Sequence, residues 1–309
     1  MSTTARLEGA PGRSRSEPTR AASAPAREGP RGSRVGRRLR RHRSFLLGGG
    51  LFALVLTLAL LADLIAPTAP DRMLFRFRFT APRLAFPLGT DNFGRDLLSR
   101  VVYGARLSLG IGCGVMVMTG MAGTLVGGAA GYCRRLDGAL MRVMDALMAF
   151  PAVLLAIGIT AALGPSMLNA MIALTAVYTP RTARMVRASV LVIREMDYVQ
   201  SAQAVGARHA RILWRHVLPN SLAPLIVQLT FIFAYAVLTE AILSFLGMGP
   251  QPPTPTWGNI IAEGRNYVRE APWIALFPGL AIAVTVLGLN LLGDGLRDAL
   301  DPRMTVPQG

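Results

Sequence analysis

Long apolar runs, separated by short polar segments, fill most of the chain between residues 45 and 292. About 20 consecutive apolar residues suffice for a helix to cross the hydrocarbon core of a bilayer, where a helix satisfies its own backbone hydrogen bonds. Five predicted spans lie at residues 45–65, 107–131, 140–163, 218–246 and 273–292. Another, the fourth along the chain, begins near Met167 and continues past Pro180. The sequence therefore predicts an all-α, polytopic membrane protein with about six transmembrane helices.

The charged residues indicate how these spans are oriented. The chain has 33 basic residues, all of them Arg, against 17 Asp plus Glu, and 12 of the Arg lie in residues 1–43. Arg-rich segments next to a span stay in the cytoplasm, so both termini are predicted to be cytoplasmic. The polar composition of residues 1–44 predicts a disordered tail that contacts anionic membrane lipid. Because membrane orientation and lipid contact account for the positive charge, we predict no nucleic-acid partner.

The second predicted span contains a repeat of small residues. Gly123, Gly127 and Gly131 recur every four residues, which places them on one face of a helix. A smooth face of this kind lets a second helix approach closely. We therefore predict that this face packs against another span.

Motifs of catalytic chemistry are absent from the sequence. Without Lys, the chain cannot contain a normal Walker A loop, and it has neither an HExxH nor a GxSxG motif. Cys113 and Cys133 are about 30 Å apart if a helix joins them, which is too far for a disulfide. We predict no catalytic residue, no metal site and no cofactor bound by the chain.

The most specific pattern lies in the polar, amphipathic segment at residues 197–220. Small side chains there would let a short helix lie shallowly in the groove of a partner. Gly206 is predicted to end that helix, since glycine adopts the required backbone conformation without steric cost. Pro219 fits the first turn of the following helix, where its missing N–H is not needed.

This segment resembles the coupling loop of binding-protein-dependent ABC importer permeases. The family pattern is Glu-Ala-Ala, three residues, Gly, nine residues, then Ile-x-Leu-Pro. The Gly and the Leu-Pro are present here at the same spacing, whereas Gln200 replaces the Glu and His216 replaces the Ile. The resemblance implies docking on an ATPase subunit through Gln200, Ser201, Ala202, Ala204, Gly206, Leu218 and Pro219.

Three further stretches, at residues 87–109, 243–261 and 292–303, resemble peptide- and nickel-type permeases. The resemblance covers roughly residues 45–303 and is to the second ("C") permease subunit of dipeptide and oligopeptide importers. It implies a type I ABC importer permease fold in the bacterial cytoplasmic (inner) membrane. It also implies these partners: a second homologous permease subunit, two cytoplasmic ATP-binding subunits that use the ATP, and an extracytoplasmic substrate-binding protein.

The resemblance and the apolar runs together divide the chain into four predicted segments. They are a disordered cytoplasmic tail (1–44), a first transmembrane helix with an external segment (45–104), a permease core (105–294) and a cytoplasmic C-terminal tail (295–309).

Charged residues inside spans are costly and often functional. Glu240 is predicted to face the bundle interior, either lining a pathway or making a structural pair. Asp145 is predicted to pair with Arg142, one helical turn away.

Three residues on the predicted external side have two interpretations. Arg95 and Asp96 either contact the substrate-binding protein or cap and hold a helix ahead of the second span. Trp257 either contacts the substrate-binding protein, in a loop that dips back towards the substrate, or anchors at the aromatic belt of the membrane.

The favoured function is import of di- or oligopeptides, driven by ATPase subunits in trans. The same role for nickel, glutathione or another small solute is an alternative, because specificity in this family lies largely in the binding protein. An ion-coupled secondary transporter would need coupling-ion sites near the midplane, and Glu240 is the one candidate in the sequence. A membrane-anchored scaffold acting through its basic tail is a further alternative.

Overall fold

The computed structural model describes Leu39 and residues 42–300, and the fold is given for these residues. The α-helices are α1 Arg43–Leu60, α2 Ala62–Ile65, α3 Leu97–Tyr132, α4 Arg134–Met148, α5 Ala152–Leu163, α6 Met167–Ile193, α7 Asp197–Ala204, α8 His209–Ile212, α9 Leu218–Phe245, α10 Trp257–Gly264 and α11 Trp273–Leu300. Short 3₁₀ turns lie at Phe75–Phe77 and Arg265–Tyr267, and a π turn at Leu213–Val217 joins α8 to α9.

The prediction of an all-α, polytopic membrane protein is confirmed. Four helical stretches in the described part of the chain are long and apolar enough to cross a bilayer: Arg43–Leu60, Leu97–Tyr132, Leu213–Phe245 and Trp273–Leu300. A fifth is counted if the bent pair α4 and α5 forms one span. Helix α6 is continuous over 27 residues, through Pro180, but its three Arg side chains make it too polar to qualify by composition alone.

The third predicted span is not one straight helix. Residues 140–163 divide into the end of α4 and the whole of α5, which meet at a bend of 94°. Pro151 stands at the start of α5, and a proline disfavours helical geometry in the residue before it and lacks the N–H that would continue the helix. Helix α5 is therefore only about 18 Å long.

The glycine face of α3 packs against α6, as predicted. A Cβ added to Gly131 would lie 2.8 Å from Cβ of Val190, and one added to Gly123 would lie 2.5 Å from Cγ2 of Thr182. At Gly127 an added Cβ would overlap the backbone oxygen of Ala183. The two helices approach so closely that no side chain fits between them at these positions.

A second close contact, between α1 and α11, was not predicted from the sequence. A Cβ on Gly48 would lie 2.6 Å from the backbone oxygen of Gly288, and one on Gly295 would lie 2.7 Å from Cβ of Phe45. The glycines are split between two helices at opposite ends of the chain, so neither helix shows the full pattern alone.

The two ends of the bundle have different structures. We call the end formed by residues 133–151 and 194–217 the coupling end, and the end formed by residues 66–96 and 246–272 the cap end. Next to the cap end, Arg106 of α3 donates to both carboxylate oxygens of Asp63 in α2, at 3.1 and 2.8 Å, and Tyr103 donates to Asp63 at 2.6 Å. These hydrogen bonds hold the pKa of Asp63 below its usual value.

The structure corrects one predicted contact, while the division of the chain into four segments stays a prediction. The boundaries at 104–105 and 294–295 fall inside α3 and α11, because both helices are continuous there. Asp145 pairs with Arg184 of α6 and not with Arg142, since α4 lies against α6. The predicted tail at residues 1–44 lies almost entirely outside the described residues, as does the C-terminal segment 301–309.

Candidate functional site

Helix α7 at the coupling end has the local structure that the sequence predicted. It ends at Ala204, and Gly206 follows with a positive φ of 80°. The N–H of Gly206 donates to the oxygen of Gln203 at 2.9 Å, and that of Ala207 donates to the oxygen of Ala202 at 3.1 Å. This pair of bonds is the Schellman motif, in which glycine is favoured at the left-handed position.

One side of α7 is attached to the bundle. Val199 is fully buried and packs in a cluster with Val190 and Ile193 of α6, Ile212 of α8 and Leu225 of α9. Helix α7 is therefore joined to α6 and α9 through this shared cluster and through α8, against which it lies, and a displacement of α7 would be passed on to both through them.

The other side of α7 is open. Gln200, Ser201 and Ala204, predicted to dock on a partner, are exposed, while Ala202 is half-buried. Large apolar side chains are exposed in and next to α7, at Met196, Tyr198 and Val205, and Trp214 is exposed in the π turn. Their exposure was not predicted, because apolar residues in an amphipathic segment are expected to face the bundle. An exposed apolar group of this kind marks an interaction surface.

The second half of the predicted loop is more helical than expected. The chain is helical from His209 through the π turn and into α9, so the fifth span begins well before Leu218. Pro219 lies in the first turn of α9, as predicted. Leu218, which was predicted to take part in docking, is buried, so its part in docking stays a prediction. His216, which departs from the family pattern, lies 6.4 Å from the ring of Tyr198, centroid to centroid. It therefore contacts α7 from the side of the π turn.

Gln200, which replaces the Glu of the family pattern, makes a contact within its own segment of the chain. Its Nε2 donates to the backbone oxygen of Glu195 at 3.1 Å. The neutral amide thus helps to fix the start of α7 while the rest of the side chain remains exposed.

Glu240 faces the bundle interior and is fully buried in α9. Its Oε1 accepts a hydrogen bond from Ser244 at 2.6 Å, and Oε2 has no partner among the described residues. Ser108 of α3 and Thr256, which precedes α10, lie beside the same carboxyl group. Glu240 therefore lies where α3, α9 and α10 meet, and a pathway role for it stays a prediction.

A buried ionic cluster holds the cap end together. Oδ2 of Asp91 accepts from Nε of Arg95 at 2.6 Å and from Arg100 at 2.7 Å. Arg100 also donates to both oxygens of Glu263 in α10, at 2.8 and 3.1 Å, and Arg95 pairs with the same carboxylate. We call these four residues the cap cluster. It connects Arg95, ahead of α3, and Arg100, in the first turn of α3, to Glu263 of α10, which lies 168 and 163 positions away in the sequence.

Asp96 caps α3, as one of its two interpretations predicted. Its Oδ2 accepts from the N–H and the hydroxyl of Ser99, both at 2.7 Å. Arg95 and Asp96 are only 3% and 2% exposed. This burial argues against the prediction that they contact a binding protein directly, because neither side chain reaches the surface of the described chain.

Trp257 is also fully buried. Its Nε1 donates to the oxygen of Val101 in α3 at 3.0 Å, and α10 begins there with a capping box formed by Thr256 and Asn259. Trp257 therefore packs α10 onto α3. This burial argues against both predicted roles, the anchor at the aromatic belt and the contact with a delivering protein, and a part for Trp257 in binding-protein contact stays a prediction.

The long apolar helices are those of a polytopic membrane protein, and the family match gives its class. The chain belongs to the family of binding-protein-dependent transport system inner membrane components, which it matches over residues 121–306. Residues 31–82 match the N-terminal transmembrane domain of oligopeptide transport permease C. The protein is thus a multi-pass permease of the inner membrane.

Several relatives resemble the chain over most of its length. A peptide transport system permease protein of Brucella abortus is 58% identical over 268 residues, 87% of this chain and 90% of the relative. The dipeptide transport system permease protein DppC of Alkalihalophilus pseudofirmus is 42% identical over 269 residues, 87% and 88% of the two chains. DppC of Escherichia coli K12 is 45% identical over 273 residues, 86% and 91% of the two chains.

Proposed function

We propose that the chain is a permease subunit of an ABC importer that moves di- or oligopeptides across the cytoplasmic membrane. The observation that carries the proposal is the open face of α7, attached on its other side to α6 and α9. The names of the relatives supply the substrate class. The chain catalyses no reaction and binds no cofactor in this proposal, because ATP is hydrolysed on partner subunits.

The proposed orientation places the coupling end and both termini in the cytoplasm. Two ATP-binding subunits then lie below the membrane, one of them against α7. The cap end faces outward, towards a substrate-binding protein, and a second homologous permease subunit completes the pathway. The Arg-rich N-terminal segment supports this orientation, since such segments are retained in the cytoplasm.

The packing suggests how movement of the ATPase would open the pathway. The glycine contact fixes α6 against α3, and Val199 of α7 lies in one buried cluster with residues of α6, α8 and α9. A push on α7 would therefore turn these long helices together as one body. The direction of access would change without any large rearrangement inside the chain.

Gly206→Val tests the role of α7. Glycine is required there by the positive φ and not by crowding, since an added Cβ would meet nothing within 4 Å. A β-branched residue in this conformation is strained by about 1–2 kcal/mol or more. We expect about 10-fold less ATPase subunit to co-purify with the chain and a similar fall in peptide uptake, since 1.4 kcal/mol corresponds to a factor of ten.

Gly206→Asn is the matched control. Asparagine tolerates the left-handed conformation, so this variant should retain most of the co-purification and uptake. Unchanged ATPase binding and uptake in Gly206→Val would contradict the proposal. Loss of uptake on deletion of residues 1–43, with Gly206→Val active, would instead favour a scaffold acting through its tail.

A further inference from the structure

A pocket of 480 Å³ lies between α6, α9 and α11, towards the coupling end. It is large enough for a small ligand, since such sites commonly measure about 300–1,000 Å³. Two guanidinium groups, one carboxamide and several apolar side chains line it, among them Arg181, Arg297, Gln228, Pro224, Val227 and Phe231.

Arg181 differs from the two other arginines of α6. Arg184 pairs with Asp145, and Arg187 pairs with Asp137. Within residues 42–300, Arg181 forms no ion pair, and it lies about halfway along the helix. A guanidinium group that lines a pocket without a carboxylate partner is available to bind an anionic ligand.

The pocket therefore has donors but lacks a negative group among its described lining residues. The guanidinium of Arg181 lies 5.9 Å from the ring centroid of Tyr235, a contact that adds no negative charge. Arg297 also forms no ion pair within the described part of the chain. Nε2 of Gln228 is buried and has no hydrogen-bond partner there.

We propose that this pocket binds the α-carboxylate of the transported peptide during its passage, an inference that rests on the proposed peptide import. A guanidinium recognises a carboxylate through two parallel hydrogen bonds. The carboxamide of Gln228 supplies a further donor, and Val227 and Phe231 offer an apolar surface to the last side chain of the peptide.

Recognition of this group would suit a transporter of many peptides. Every linear peptide ends in the same carboxylate, whatever its sequence. A site that recognises only the terminal carboxylate binds peptides of different sequence equally well. Selection among peptides is then made by the binding protein that delivers them.

The test uses the complete transporter in proteoliposomes, with its binding protein and with ATP supplied to the ATPase subunits. Uptake is measured for one dipeptide and for the same dipeptide with a C-terminal amide, each at a concentration that saturates the binding protein. Arg181→Gln should lower maximal uptake of the free acid by about 10-fold, since a charge-assisted hydrogen bond is lost. Uptake of the amide should fall less than twofold.

Two variants complete the comparison. Arg181→Lys keeps the charge but not the paired geometry, so its uptake should lie between wild type and Arg181→Gln. Arg184→Gln removes an equivalent charge one turn away, outside the pocket, and should leave uptake within twofold of wild type because its ion pair is exposed.

Unchanged uptake in Arg181→Gln, or an equal loss for acid and amide, would overturn the proposal. So would an effect that disappears when phosphatidylglycerol is replaced by phosphatidylcholine, because the pocket would then hold a lipid headgroup. If the wild-type system took up neither peptide, the proposed peptide import itself would fail, and this inference with it.

Discussion

Asp91→Asn is expected to lower the free energy of unfolding by about 3–5 kcal/mol, the usual cost of removing one partner from a buried ion pair. Asp91 is fully buried, and its Oδ2 accepts from Arg95 and Arg100. Asparagine has the same shape, and its oxygen can still accept from the backbone N–H groups of Phe93 and Arg95, as Oδ1 of Asp91 does. Its amino group, however, would face two guanidinium groups that have only Glu263 left to neutralise them.

The measurement is denaturant or thermal unfolding of the purified full-length chain in detergent. Asp63→Asn is the matched control, because Asp63 also pairs with an arginine but is largely exposed. An exposed pair contributes about 0–1 kcal/mol, so the control should lose at most about that amount. Equal losses of unfolding free energy in the two variants would show that burial does not increase the contribution of the cap cluster to stability.

Restoring charge balance should recover part of the loss. In Asp91→Asn combined with Arg100→Met, Arg95 and Glu263 remain as one buried pair with no excess charge. The double variant should therefore be more stable than the sum of the two single changes predicts, by about 0.5–3 kcal/mol. Strict additivity would mean that Asp91 and Arg100 do not interact.

The cap cluster could be predicted from the sequence only in part. Arg95 could be singled out because it lies in the stretch at residues 87–109 that resembles other permeases. The capping role of Asp96 could be predicted because Asp96 directly precedes a helix. The partner Glu263 lies 168 positions from Arg95 in a segment with no motif of its own. Only the folded bundle brings the two together.

Other features were predictable because they depend on local chemistry. Long apolar runs predicted helices, the positive φ at Gly206 followed from helix termination, and the spacing of Gly123, Gly127 and Gly131 predicted a close helix contact. The bend between α4 and α5 was missed because the apolar run continues through it. The signal was Pro151, which breaks backbone hydrogen bonding without changing hydropathy.

Gly127→Ala is expected to destabilise the protein by about 1–3 kcal/mol, the usual cost of overpacking. The added Cβ would overlap the backbone oxygen of Ala183 and would lie 2.9 Å from Cβ of Val186. A backbone oxygen cannot rotate away as a side chain can, so α3 and α6 must separate. Because α6 carries α7 at its end, the same variant should also weaken ATPase coupling.

Gly110→Ala makes the same chemical change in the same helix with the opposite expected result. An added Cβ there meets nothing within 4 Å, and alanine is favoured over glycine in a helix by about 0.5–1 kcal/mol. Unfolding of the two variants in detergent should therefore shift in opposite directions from wild type. If both variants were stabilised, the α3–α6 contact would have room for a methyl group, and α6 could not be regarded as fixed to α3 when α7 moves.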